Sequence, residues 1–280
     1  MSEENSKLLH ALDLFRRLPP NQISNNLGMV YGLVDEDTGD ELLNMVECPL
    51  ETKDTQNGKF LCCDANRDGD FYRSPHDNEF YALEEDNTEK PEGTKLEGEL
   101  RNLEIEANKL FSKYTHQYYL GKGLCSCYIF ENEDGSFSIN VLIQNKTSGS
   151  DVVDKGIWDA IHVAVVKPNN DGTATYELIS TIILTLKLKE IEKNKTNFDL
   201  SGFVQEVTQK VTKKFKKQGD HLINVGEILQ MQENTMYTRL KTVYFGKAGQ
   251  VTNELRSANK PVSQNFMAEM QQKLMTRNKR

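Results

Sequence analysis

The sequence predicts an α+β fold, with helices toward both ends of the chain and an antiparallel sheet between them. Three observations carry that expectation. Apolar residues recur with helical period near the start, over Leu100–Leu120, and again from Leu222 onward. Between those last two segments, runs rich in β-branched and aromatic residues are separated by turn dipeptides. Finally, Val262, Phe266, Met270 and Leu274 recur every fourth position in a basic tail, Lys247–Arg280, that carries seven Lys or Arg against two Glu.

Taken in order, Leu8, Leu9, Leu12, Phe15 and Leu18 follow helical spacing, and Pro19-Pro20 stops that helix. Asn21–Tyr31 and Glu41–Val46 read as two further short helices, so residues 1–60 form a helical N-terminal part. From 51 to 98 periodicity is lost and Asp, Asn, Gly and Pro accumulate, which assigns 61–98 to a loop region with an acidic, solvated excursion from Glu84 to Pro91. Residues 99–120 make a connecting helix with Leu103, Ala107, Leu110 and Tyr114 on one face. The sheet occupies 121–207. Its strands are Leu124–Phe130, Phe137–Ile143, Ile157–Val166, Thr173–Leu188 and Phe198–Val207, the first pair joined at Asp134-Gly135 and the third and fourth strands at Asn170-Asp171-Gly172. Short turns make neighbouring strands antiparallel, because a parallel pair needs a long crossover.

A lysine-rich loop and one long helix fill 208–256, with Val225, Ile228, Leu229, Met236, Leu240, Val243 and Tyr244 as the stripe laid on the sheet. From Leu222 to Arg256 that helix is roughly 50 Å long, weakened locally by Gly246 and Gly249. Pro261 suits a first helical turn, which places a hinge at 257–260 and a separate amphipathic arm in 257–280.

Composition narrows the function classes. The chain of 280 residues is 37% hydrophobic with a net charge of −8, so its body is acidic and nucleic acid is not an expected partner. Five cysteines without a framework fit reduced thiols. The acidic start, Met1-Ser2-Glu3-Glu4, lacks signal-peptide character, and the longest apolar run, about Ile179–Leu188, is too short for a membrane helix. These features read as a soluble, cytoplasmic protein.

No chemistry-bearing constellation survives inspection. Asp64-x-Asn66-x-Asp68-Gly69-Asp70 copies the first half of a calcium loop, but Pro75 stands where a bidentate Glu is required, so a turn held by Asx side chains is expected. Cys62-Cys63 and Cys125-x-Cys127 lack zinc-site spacing, and the latter pair shares one face of a strand. Histidines 10, 76, 116, 162 and 221 are scattered, His162 within a strand. The expectation is a non-catalytic protein without metal or cofactor. Lys210, Lys213, Lys214, Lys216 and Lys217 form a cluster that suits phosphoinositide headgroups or a solvated surface. The tail's apolar line suits docking on its own domain and docking on a partner equally.

Several blocks then resemble one family in order along the chain. Ala11-Leu12-Asp13-Leu14-Phe15-Arg16-Arg17-Leu18-Pro19-Pro20 is similar to the start of the β subunit of heterodimeric F-actin capping protein. Leu61–Pro75 (LCCDANRDGDFYRSP), Leu103–Asn108 (LEIEAN), Gly156–Val163 (GIWDAIHV), Val243–Lys247 and Asn253–Ser257 continue the resemblance. It implies an N-terminal helical stalk, a central antiparallel sheet joined to a partner's and covered by one long helix, and a C-terminal helical tentacle. It further implies an αβ heterodimer in the cytoskeleton that binds barbed ends of actin filaments, independently of calcium, and blocks subunit addition and loss. The tentacle's actin-binding residues would be Val262, Phe266, Met267, Met270, Lys273, Leu274 and Arg277, with Phe266, Met270 and Leu274 in place of the family's leucines. His76 departs from the family's usual Trp, and the acidic excursion and lysine cluster depart as well. An alternative function is a binding module regulated by phosphoinositides or capping-protein regulators through Lys210–Lys217 and the basic tail.

Overall fold

The computed structural model describes residues 3–16, 22–46, 48–83, 95–132, 134–148, 153–188 and 199–258. The chain divides into two compact units, Met1–Glu233 and Asn234–Arg280.

In the first unit, α1 (Glu3–Arg16), α2 (Ile23–Tyr31) and α3 (Glu36–Met45) come first. The third starts earlier than its apolar residues alone indicate, because Asp35 caps it by accepting a hydrogen bond from the Thr38 amide at 3.1 Å. Ala11, Leu12, Ile23, Leu27, Val30, Leu42 and Val46 pack into one core with Ile183 of the sheet.

The stretch expected to be loop instead forms two small antiparallel sheets. Strands β1 (Glu51–Thr55) and β2 (Gly58–Cys62) make a hairpin whose two-residue turn is Gln56-Asn57, with Gly58 opening the second strand; the flanking residues do not alternate, so the pair gives no period. Strands β3 (Arg67–Asp68), β4 (Phe71–Arg73) and β5 (Phe80–Ala82) form the other. They are too short to show a period. The acidic excursion, 84–94, lies outside the described residues.

Helix α4 (Gly98–Tyr118) follows, burying Leu103, Glu104, Ala107, Phe111 and Thr115. The buried line advances by four, so Phe111 takes the place expected for Leu110, which is 41% exposed.

The main sheet has six strands: β6 (Gly123–Glu131), β7 (Phe137–Ser148), β8 (Val153–Pro168), β9 (Thr173–Leu188), β10 (Asp199–Val207) and β11 (Val211–Lys214). All pairings are antiparallel, in the order β6-β7-β8-β9-β10, with β11 also on β9 beyond the end of β10. Gly135 (φ 77°) and Gly172 (φ 74°) take the left-handed conformation their hairpin turns require. One cross-strand row is Cys127, Val141, His162, Ser180 and Glu206; the next, on the opposite face, is Tyr128, Asn140, Val163, Ile179 and Val207. Toward β2, Leu50, Leu61, Tyr128, Leu142 and Ile161 form a second core. Strand β11 was expected as loop: Val211 and Thr212 favour a strand, but four residues, half of them lysine, are too few to show a period.

Helix α5 (Asp220–Ala258) is longer than expected at its start and runs unbroken through Gly246 and Gly249. Asp220 at its first position accepts from the Lys216 and Lys217 amides. In the first unit its Leu222, Val225, Ile228 and Leu229 are buried, and its His221 ring meets Phe137 and Tyr176 of the sheet. In the second unit the Thr238 and Thr242 hydroxyls donate back to the carbonyls of Asn234 and Thr238.

Candidate functional site

The expected tail anchors Val262, Phe266, Met267, Met270, Lys273, Leu274 and Arg277 lie outside the described residues, as does the hinge from residue 259 on. What the structure places is the body that carries them.

The lysine cluster straddles the edge strand β11 and the turn into α5. Lys210 pairs with Glu177 at 3.5 Å, and Lys213, on the α5 side of β11, pairs with Glu227. Lys214 accepts a hydrogen bond at its carbonyl from Asn224, and the Lys216 and Lys217 amides are taken by Asp220. Those two backbone donors hold the Asp220 carboxyl below its ordinary range. The ammonium groups of Lys214, Lys216 and Lys217 make no ion pair among the described residues. Two of the five positive charges are thus neutralised locally, and the segment's backbone serves as the entry to a helix.

Polar groups inside the body are numerous; among the described residues the buried Thr115 Oγ1, Asn140 Oδ1, Asn145 Oδ1 and Trp158 Nε1 make no hydrogen bond, whereas the charged groups do. Arg73, 3% exposed, is bidentate to the fully buried Glu104, with Nη1–Oε1 at 2.8 Å and Nη2–Oε2 at 2.7 Å. Glu104 also receives the Arg101 guanidinium and, at 2.8 Å, the Ile129 amide. The Arg73 guanidinium lies over Tyr128 and Phe130, 5.6 and 5.7 Å from the ring centroids. On the α5 side of the sheet, Glu233 accepts from Tyr114 and from Tyr119 (2.7 Å) and lies 3.4 Å from His162, whose other ring nitrogen contacts Ser180 at 2.8 Å. Burial opposes the Glu233 charge, but the His162 contact and the two phenols together hold its carboxyl below the ordinary range. On the opposite face Asp159, 2% exposed, accepts from the Leu50 amide at 3.2 Å and from Gln144 at 2.8 Å. Burial pushes its carboxyl up to about 6 against those donors and Lys146.

These clusters tie helices to strands; they do not form an open reaction centre. His162 is fully buried. The Asp64–Asp70 segment is a turn into β4: Asn66 accepts from the Cys63 amide at 2.8 Å and donates to the Arg73 and Leu61 carbonyls at 3.0 and 3.5 Å, which commits its side chain to the turn. Among the described residues no group of three His, Cys, Asp or Glu is placed to hold a metal ion. Cys125 and Cys127 do share a face, their sulfurs 3.9 Å apart, with burial raising the Cys127 thiol. No described helix is long and apolar enough to cross a membrane.

Glu104, Asn108, Asp159 and Glu233 went unassigned at the sequence level. The signal for the first two was available: both lie beside Leu103, Ala107 and Phe111 on the core face of α4, where a polar residue must find partners.

Comparison with known proteins follows from this architecture. Residues 8–252 match the family model described as F-actin capping protein, beta subunit. An F-actin-capping protein subunit beta of Drosophila melanogaster is 38% identical over 267 residues, covering 94% of this chain and 92% of the relative. Those of Candida glabrata and Arabidopsis thaliana are 39% and 35% identical, each covering 88% of this chain and 89% and 94% of the relative. Among solved structures, the homodimeric actin capping protein alpha subunit from Plasmodium berghei is similar in fold, with a TM-score of 0.51 at 13% identity over 90% of this chain and 96% of that one.

Proposed function

The chain belongs to the F-actin capping protein beta-subunit family, and from that premise we propose how its parts divide the work. It is a non-catalytic subunit of a protein that caps the barbed ends of actin filaments and blocks subunit addition and loss. The observation that carries this is the family match across residues 8–252, which spans every described element from α2 to β11 and most of α5. The body associates with a capping protein α subunit, and the basic tail binds actin.

In the tail, Phe266, Met270 and Leu274 are the anchors, supported by Val262 and Met267, while Lys273 and Arg277 favour an acidic partner. An amphipathic helix laid in an apolar groove is a recurring recognition mode. Burying three such side chains contributes roughly 5–9 kcal/mol before the cost of ordering the arm. Electrostatic attraction of the basic tail to acidic actin speeds arrival, and the anchors slow release.

Barbed-end elongation measured with the purified chain, alone and co-expressed with an α subunit, tests the assignment. A chain ending at Ser257 should still cap in the heterodimer but dissociate faster. Unchanged dissociation overturns the tail anchors, and unhindered elongation with the full heterodimer overturns the function.

The second reading assigns phosphoinositide headgroups to the lysine cluster. The ammonium groups of Lys214, Lys216 and Lys217, which make no ion pair among the described residues, favour it, and the ion pairs of Lys210 and Lys213 count against it. It requires that changing those three lysines to Glu abolish co-sedimentation with phosphoinositide vesicles.

A further inference from the structure

Strand β6 ends the main sheet on one side: among the described residues it pairs only with β7. In an antiparallel strand both backbone groups of alternate residues point the same way, so those of Gly123, Cys125, Cys127, Ile129 and Glu131 face away from β7. An outer strand of this kind is a template for pairing with another chain unless it is blocked.

Helix α4 blocks it with two side chains one turn apart. Asn108 Oδ1 accepts from the Cys127 amide at 2.9 Å, and Asn108 Nδ2 donates to the Cys127 carbonyl at 2.8 Å. The second Nδ2 hydrogen goes to the Glu104 carbonyl at 2.9 Å, which leaves the amide no alternative orientation. Glu104 Oε2 accepts from the Ile129 amide at 2.8 Å, and Glu104 is itself clamped by Arg73 and Arg101. Along β6 the helix therefore offers acceptor, donor, acceptor: the pattern a neighbouring strand would present at those positions.

The opposite edge is different. Strand β10 pairs only with β9 among the described residues, and the described side-chain bond to its backbone is Gln232 Nε2 to the Glu206 carbonyl, near its end.

We propose that Asn108 and Glu104 act as a surrogate strand that closes the β6 edge, so that no strand of another chain adds to the sheet there. The consequence for assembly rests on the heterodimer reading above. Two open edges on one subunit would allow head-to-tail growth; one open edge ends assembly at a pair. Glu104 thereby has two tasks, balancing Arg73 and filling a strand position, while Asn108 has the edge alone.

The experiment uses the heterodimer co-expressed with an α subunit. Amide hydrogen exchange in the wild-type protein should show Cys127 and Ile129 as protected as interior β7 amides; rapid exchange there overturns the proposal at once. Asn108→Leu keeps the size and removes both hydrogen bonds, and should speed Cys127 exchange roughly tenfold. It should also produce, in sedimentation velocity, species larger than the heterodimer that grow with concentration. A folded Asn108→Leu heterodimer that exchanges faster yet stays a single 1:1 species at every concentration overturns the role in assembly. If Asn108→Leu fails to fold, Asn108→Asp, which keeps the acceptor but sets a carboxylate oxygen against the Cys127 carbonyl, must give the larger species instead. A wild-type chain that forms no 1:1 complex refutes the heterodimer reading and leaves the exchange result standing.

Discussion

Replacing Arg73 with Met tests whether the polar centre between β4, α4 and β6 is one unit. Arg73 and Glu104 are 3% and 0% exposed and joined by two bonds of 2.8 and 2.7 Å. Removing one partner of such a pair costs about 3–5 kcal/mol, because a charge is left in the interior. Here the lower figure applies to Arg73→Met, since Arg101 and the Ile129 amide still reach Glu104. Glu104→Leu leaves Arg73 uncompensated and the Ile129 amide unpaired, so the upper figure applies. The double substitution removes the Arg73 and Glu104 charges together; the orphaned Ile129 amide costs about 1–3 kcal/mol, and Arg101, which also loses Glu104, keeps the Pro75 and His76 carbonyls. The single losses of about 3 and 5 kcal/mol together exceed the double loss by about 5–7 kcal/mol, far from additive. At roughly 2–4 °C per kcal/mol for a chain of this size, Arg73→Met should lower the melting temperature by about 6–12 °C, and the double variant should recover part of the loss to Glu104→Leu. Thermal melts of the four proteins at equal concentration give the cycle. Additive losses, or a double variant less stable than either single one, refute the reasoning.

Other perturbations probe the remaining clusters. Asp159 is raised to about 6 by burial, so between pH 4 and 6 the folded chain holds a proton the unfolded chain has released. Stability should then fall as pH rises across that window, by about 3 kcal/mol, and Asp159→Asn should flatten the slope; an unchanged slope rejects the assignment. Glu233 has the opposite sign: its lowered carboxyl contributes stability above the ordinary carboxylate range that is lost as pH falls below it. Glu233→Gln should destabilise at neutral pH by about 1–3 kcal/mol, and the gap to wild type should narrow in acid. Asn66→Ala should cost about 1–3 kcal/mol by orphaning the Cys63 amide and Arg73 carbonyl, equally with and without calcium; recovery of stability on adding calcium would show that the turn is a metal site.

How much was legible beforehand differed by element. The five long strands were visible because β-branched runs and Asp-Gly turns are local signals, and the glycines at 135 and 172 do take the positive φ those turns need. Helix α4 was placed within two residues at each end, but its buried side was assigned to Leu110 where Phe111 is buried. The hairpin β1–β2 and strand β11 were missed, since short strands stabilised by neighbours carry almost no period of their own. The candidate anchors of the tail were named from spacing and resemblance and remain proposals.

The sequence by itself determined the long helices and the five long strands, that neighbouring strands run antiparallel, and, through its ordered motifs, which family the chain belongs to. These depend on period, turn chemistry and residue order, all of which lie along the chain. The tertiary structure alone decided what the buried polar residues do. Glu104 meets Arg73 across 31 positions and Glu233 meets Tyr114 across 119, and whether Asn108 faces solvent or closes the edge of a strand depends on which backbone the fold brings beside it. A buried polar group takes its meaning from its partner, and that partner is set by packing at long range.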